Sequence, residues 1–177
     1  MILPVEDITE EPQSCDFSDP VEDLNRRLEQ GPHDFRFLGP IEVHLEHHRA
    51  DDNLFFAGHL RTMAEGECAR CTERFPLPVE QDFAFVLRPA DPEEERNELS
   101  PDDLSVTTYE GDQVDLAPLV EEQTLVGLPT RALCSEDCRG LCPGCGVNRN
   151  LDSCRCKADE GDPRLAALRS LKVGRAH

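Results

Sequence analysis

No stretch of this 177-residue chain approaches the roughly 20 consecutive apolar residues needed to cross a bilayer. The start, Met1-Ile2-Leu3-Pro4-Val5-Glu6-Asp7, has neither a basic region nor an apolar core, so no signal peptide is read and a cytoplasmic, reducing setting is expected. Basic side chains are scarce. There are 18 Lys and Arg against 37 Asp and Glu, for a net charge of −19. Such a balance repels phosphates and excludes a non-specific nucleic-acid clamp as a description of the whole chain. Aromatic residues are few, and beyond Tyr109 there are none on which a base could stack. Catalytic signatures are missing too: there is no G-x-S-x-G, no P-loop and no H-E-x-x-H. The carboxylates are too numerous for any pair to stand out, and the chain reads as non-enzymatic.

Cysteine is what the chain has in quantity. Nine Cys without an export signal are expected to be reduced, which argues against a disulfide framework. Eight of them stand in four local pairs: Cys68-Ala69-Arg70-Cys71, Cys134 with Cys138, Cys142-Pro143-Gly144-Cys145, and Cys154-Arg155-Cys156. A C-x2-C turn presents two sulfurs to one ion while its backbone N–H groups point at them. Four thiolates at about 2.3 Å complete a zinc tetrahedron, so two zinc ions with four cysteines each are expected. Such shells are closed to water and structural. Redox thiols are the minor alternative. Gly146, directly after Cys145, permits the positive φ that a tight knuckle uses.

If the pairs stay intact, three sharing arrangements exist. Cys142, Cys145, Cys154 and Cys156 lie so close in sequence that one short loop can close round an ion at low entropic cost, leaving Cys68 and Cys71 to meet Cys134 and Cys138. That arrangement is favoured over a zinc ribbon of the two C-x2-C turns, which remains open. Cys15 reads as an ordinary free thiol. His44 and His48 would share a face of a strand, where a weak extra metal site is conceivable, but His44, His47, His48 and His59 read foremost as exposed strand histidines.

Residues 1–40 look irregular apart from one short helix opened by Asp19-Pro20 and stopped by Gly31-Pro32. Ile41 to His47 alternates apolar and polar residues, and Asn53 to Glu67, with Gly58 as a weak point or bulge, reads as a second strand. Phe75–Val79 and Asp82–Leu87 form a third. Residues 91–103 read as a solvated loop and Leu104 to Tyr109 as a further strand. Asp115 caps a helix running to about Val126, with Leu116, Leu119, Val120 and Val126 as its apolar face. The expectation is an α+β fold, an antiparallel β-meander with one packed helix and a C-terminal cysteine-rich zinc-binding segment. Asp162 to Val173 reads as a short final helix. Charge divides the chain in the same way: residues 1–128 carry −22 and residues 129–177 carry +3. An acidic β-rich body and a mildly basic tail, integrated through Cys68 and Cys71, is the expected organisation.

The order of these features resembles the YceD family, named for large ribosomal RNA subunit accumulation. The resemblance rests on Cys68-Ala69-Arg70-Cys71, Val120-Glu121-Glu122-Gln123, Leu128-Pro129, Cys134, Cys138, Gly140-Leu141-Cys142-Pro143-Gly144-Cys145-Gly146, Asn148-Arg149-Asn150 and Asp162-Pro163-Arg164-Leu165. Arg149 stands where relatives commonly carry Leu, and the long acidic N-terminal half is a further departure. The resemblance implies a bacterial or plastid protein needed for normal accumulation of 23S ribosomal RNA, with no enzymatic activity. It also implies that some members keep a first C-x2-C and a pair near Cys134 and Cys138 while lacking the later four cysteines, which fits the favoured pairing. Two modes of action are compatible with it. The acidic body could bind a basic ribosomal protein or an assembly intermediate. Alternatively, the tail could bind rRNA directly through Arg139, Arg149, Arg155 and Lys157, with Arg131, Arg164, Arg169, Lys172 and Arg175 in support. Neither DNA nor a membrane is an expected partner.

Overall fold

The computed structural model describes residues 1–31, 34–90 and 106–156. Alternation of apolar and polar residues builds the central sheet. In β4 (Ile41–Ala50), Ile41, Val43, Leu45 and His47 point inward while Glu42, His44 and Glu46 face solvent. The long strands β5 (Asn53–Glu67) and β6 (Arg74–Pro89) form a hairpin that pairs without a slip from Leu54↔Leu87 to Glu67↔Arg74. With β2 (Gln13–Asp19), β3 (Phe35–Phe37) and β7 (Val106–Tyr109), they make a six-stranded sheet in the order β2-β4-β5-β6-β7, with β3 also on β5. β1 (Ile2–Pro4) pairs with β8 (Gln113–Asp115) in a separate ribbon. Helices α1 (Glu22–Leu28) and α2 (Ala117–Val126) contribute Leu24, Leu28 and Val120 to a core that also holds Phe37, Leu45, Phe56, Leu60 and Leu87. The class is α+β, with a mostly antiparallel sheet. No helix among the described residues is long and apolar enough to cross a membrane.

Several expectations need correction. The region expected to be irregular, residues 1–40, contains β1, β2 and β3; Gln13–Asp19 pairs along its whole length with β4, so a charged, weakly alternating segment becomes a strand because a strong neighbour offers it a ladder. Asp19 does not cap α1: it ends β2 and is buried, and Val21 holds the cap position. The meander also breaks at its end, since β7 runs parallel to β6, from Val86↔Val106 to Pro89↔Tyr109. Residues 90–105 supply the dozen or more residues that a parallel return needs.

Gly58 is not a bulge. Pairing continues through it on both sides, and a Cβ there would lie 2.2 Å from the His44 carbonyl oxygen, so the position demands close backbone approach. Leu116, not Asp115, holds the cap position of α2, although Asp115 just before it accepts a hydrogen bond from the Ala117 N–H at 3.1 Å. Leu116 and Val120 are buried as expected, but Val126 is exposed and Thr124 takes the inward place, its hydroxyl donating to the Val120 carbonyl. The loop expected over 91–103 and the helix over 162–173 lie outside the described residues.

Candidate metal centre

The turn between β5 and β6 carries Cys68-Ala69-Arg70-Cys71. The Cys68 N–H donates to the Glu73 carbonyl and the Thr72 N–H to the Cys68 carbonyl, which closes a tight loop in which Thr72 takes a φ of 60°. Ala69 N–H reaches the Ala132 carbonyl and Leu141 N–H the Arg70 carbonyl, so the segment after α2 is laid against this turn by main-chain bonds on both sides of Arg70. The Arg70 guanidinium donates from Nη1 to the carbonyls of Glu136 and Cys138, each at 2.9 Å. These contacts bring Cys134 and Cys138 over Cys68 and Cys71.

Two groups of four sulfurs result: Cys68, Cys71, Cys134 and Cys138, and Cys142, Cys145, Cys154 and Cys156. Within each, every Sγ lies within 4.8 Å of the others. No cysteine is in a disulfide. In the first group, Cys68–Cys138 and Cys71–Cys134 are separated by 3.8 and 3.7 Å. Thiolates about 2.3 Å from a central zinc have tetrahedral edges of about 3.8 Å, which these two edges match. In the second, Cys142–Cys154 at 3.4 Å opens by a few tenths of an ångström to reach the same figure.

Electrostatics points the same way. Burial opposes ionisation of Cys68, yet the backbone N–H groups of Cys134, Arg70 and Cys71 outweigh it and hold the thiol at about 6. The Gly144 and Cys145 N–H groups bring Cys142 to about 6. Once such a thiolate forms, its neighbours resist charging. Cys134 is pushed up to about 12 by burial and by Cys138, Cys68 and Cys71, and Cys156 to about 12 by Cys145 and Cys142. A divalent cation among the four sulfurs relieves that crowding.

The second group is shaped by glycines. The Gly146 N–H donates to the Cys142 carbonyl at 2.8 Å with φ +74°, the left-handed knuckle that the residue after Cys145 allows. Gly140 has φ +68°, and a Cβ on it would sit 2.8 Å from the Arg70 carbonyl oxygen, so the loop can enter against the first turn only through glycine. From this loop Asn150 reaches back. Its Nδ2 donates to Cys138 Sγ at 3.2 Å while its Oδ1 accepts from the Arg139 N–H at 2.8 Å. Asn148 Oδ1 in turn accepts from the Asn150 side chain at 3.0 Å, and Asn148 Nδ2 donates to Glu73 at 3.3 Å.

The family described as Large ribosomal RNA subunit accumulation protein YceD matches residues 56–172, which take in both cysteine groups. This chain belongs to the YceD family. A similar protein is the chloroplastic YCED homolog 1 of maize, named for large ribosomal RNA subunit accumulation, which is 27% identical over 67% of this chain and 49% of its own length. Protein YlbN of Bacillus subtilis is 29% identical over 90% of this chain and 88% of its own. A Mycobacterium tuberculosis protein is 27% identical over 72% and 60%. The chain thus spans about half the length of the maize homologue. No solved structure matches significantly.

Of the residues singled out in sequence, all eight paired cysteines fall into the two groups, and the zinc-ribbon arrangement of Cys71 with Cys145 is not the one this YceD chain adopts. Arg139, Arg149 and Arg155 are exposed around them, whereas Lys157 lies outside the described residues. Cys15 is a half-buried free thiol remote from both groups in the sheet, its own thiol pushed up by burial and by Asp16. Arg70, Gly140, Asn148 and Asn150 were visible in sequence as members of the family pattern, but not as the clamp on the first cysteine group. Their spacing to the cysteines was the available signal; what they contact depends on how the second loop folds back.

Proposed function

We propose that this YceD protein is a non-enzymatic, cytoplasmic ribosome-biogenesis factor that supports accumulation of 23S rRNA by binding a basic large-subunit protein or an assembly intermediate. In this reading, Cys68, Cys71, Cys134 and Cys138 hold one zinc ion and Cys142, Cys145, Cys154 and Cys156 a second. The family name supplies the link to large-subunit rRNA. The observation that carries the binding mode is the charge of −22 over residues 1–128, displayed on the solvent face of the sheet by Asp16, Glu42, Glu46, Glu80 and Asp82. A field of this sign attracts cationic partners and repels naked RNA, and it weakens with salt. Four thiolates per ion leave no open coordination position for substrate, which supports a structural rather than catalytic role for the metal.

The test is capture of large-subunit proteins on the immobilised full chain. One or more basic ribosomal proteins should be retained at low salt and released as salt rises; recovery of none at low salt defeats the reading. Direct rRNA binding is the second reading, favoured by the exposure of Arg139, Arg149 and Arg155 on the one region whose net charge is positive. RNA crosslinks that map to these arginines and vanish when all three become Ser would replace the first reading with the second.

A further inference from the structure

One rung of the sheet outside the cysteine region is built in an unusual way. Asp16 on β2, His44 on β4, His59 on β5 and Asp82 on β6 stand directly opposite one another in register. All four are on the solvent face, and the two imidazoles are half-exposed, at 53% and 46%. His44 Nδ1 is 2.8 Å from Asp16 Oδ1, and His59 Nδ1 is 2.8 Å from Asp82 Oδ1. The carboxylates flank the histidine pair on its two outer sides, so both Nδ1 atoms are turned away from the partner ring. Among the described residues no hydrogen bond engages Nε2 of His44 or of His59, so each ring keeps its second nitrogen free as a donor atom for a ligand. Directly opposed residues have Cβ atoms about 4.5–5.5 Å apart, close enough for two ring nitrogens to meet one ion.

We propose that His44 and His59 form a third cation site, a two-imidazole seat for a borderline divalent metal such as Ni2+, Cu2+ or Zn2+, with solvent completing the shell. A histidine that binds metal through Nε2 characteristically gives its Nδ1–H to a carboxylate, which fixes tautomer and ring and raises the basicity of the ligand nitrogen. Here that arrangement occurs twice in one rung. Imidazole donors select borderline transition ions over Mg2+ and Ca2+, which want oxygen. The surroundings suit a cation. His44 and His59 line a hollow of about 640 Å3 whose neighbours include Glu42 and Glu80. The basic residue there, Arg61, is engaged by Glu42 through Nη2 at 2.8 Å and Nε at 3.2 Å. His48, which shares the outer face of β4, is instead stacked on Phe55 with ring centroids 5.1 Å apart, and is not part of the seat.

The experiment is titration of the full, zinc-supplemented protein with Ni2+ while the imidazole Cε1–H resonances are followed. Reading the signals of individual histidines keeps the result independent of whatever the cysteine groups hold. Paramagnetic broadening should strike His44 and His59 together at the first equivalent, ahead of His48, and excess Mg2+ should not reverse it. His44→Gln and His59→Gln should each weaken binding about tenfold or more, and Asp16→Asn or Asp82→Asn by about tenfold. These exposed positions leave the core intact, so the variants remain folded. Broadening spread evenly over all histidines, or an affinity unchanged in the His44→Gln/His59→Gln double variant, overturns the proposal. So does a single variant that binds as tightly as the parent, since that leaves one lone imidazole as the site.

Discussion

The two cysteine groups have the same ligand set and different settings: three of four cysteines are buried in the first and one of four, Cys142, in the second. Cys68, Cys71 and Cys138 are buried, with Phe75 and Leu133 packed against them, and the group ties a β-hairpin turn to a segment some sixty residues later. In the second group Cys145 and Cys156 are exposed, and all four ligands come from one short loop. An ion in the first group would close a long loop and join two parts of the fold; an ion in the second would organise its own knuckle and touch the first group through Asn150. Where the ligands come from, more than what they are, decides how much folding free energy a metal carries.

The largest expected effect follows from that contrast. Cys71→Ser should remove metal from the first group and release the 132–152 segment from the hairpin, costing on the order of 4 kcal/mol or more in thermal or denaturant melts. Cys145→Ser should lower the same melt by less, about 1–3 kcal/mol, since the loop it organises contributes little to the core and acts on the first group mainly through Asn150. Equal losses in the two variants would break the comparison. A chelator competition on the metal-loaded protein sharpens it, with the second group expected to release its ion first.

A smaller effect tests whether the groups are independent. Asn150 belongs to the second loop but donates to Cys138 of the first, where burial pushes the thiol up and Asn150 with the Gly140 N–H brings it down overall. Asn150→Ala should weaken zinc at the first group by about 10- to 100-fold while leaving the second nearly unchanged, as read by chelator competition. Gly140→Ala acts on the same junction through the backbone. Its positive φ and the 2.8 Å approach to the Arg70 carbonyl should cost about 1–3 kcal/mol and increase amide exchange at Leu141.

The smallest effect lies in the sheet, away from both groups. His47 is buried beside Phe56, its Nδ1 has no hydrogen-bond partner, and burial followed by the nearby His48 holds its pKa below the usual imidazole value. The unfolded chain therefore takes up the proton first as pH falls through about 6.5, and folding stability contributed by neutral His47 is lost from there toward the lower native pKa. His47→Phe should remove that acid-side loss, visible as a shallower dependence of the melting temperature between neutral and mildly acidic pH. An unchanged slope would mean that the acid sensitivity belongs elsewhere.

Much of the fold was legible where one local rule dominated. The alternation Ile41-Glu42-Val43-His44-Leu45 encodes β4 because one face must be buried, and Asp115 marks the start of α2 because its side chain meets a helical N–H. Legibility failed where a partner made the element. Gln13–Asp19 is a strand only beside β4, and Val106–Tyr109 pairs in parallel because the chain returns to the far side of β6. Gly58 reads in sequence as a weak point or bulge and is instead where the backbone of β4 approaches most closely.

The amino-acid order alone determined the donor chemistry: eight thiols in four pairs, too many and too regular for chance, on a chain whose acidity ends before the cysteine-rich segment. Composition also determined the charge contrast between body and tail, since charge is a property of the residues and not of their arrangement. Tertiary structure decided which pairs meet, because the sulfurs of the first group, more than sixty residues apart, come together through the main-chain and guanidinium bonds of Arg70 and its neighbours. It also decided that Asp16, His44, His59 and Asp82 share a rung. Register across four strands is set by the hairpin turns and by which faces are buried, and no spacing within a single strand records it.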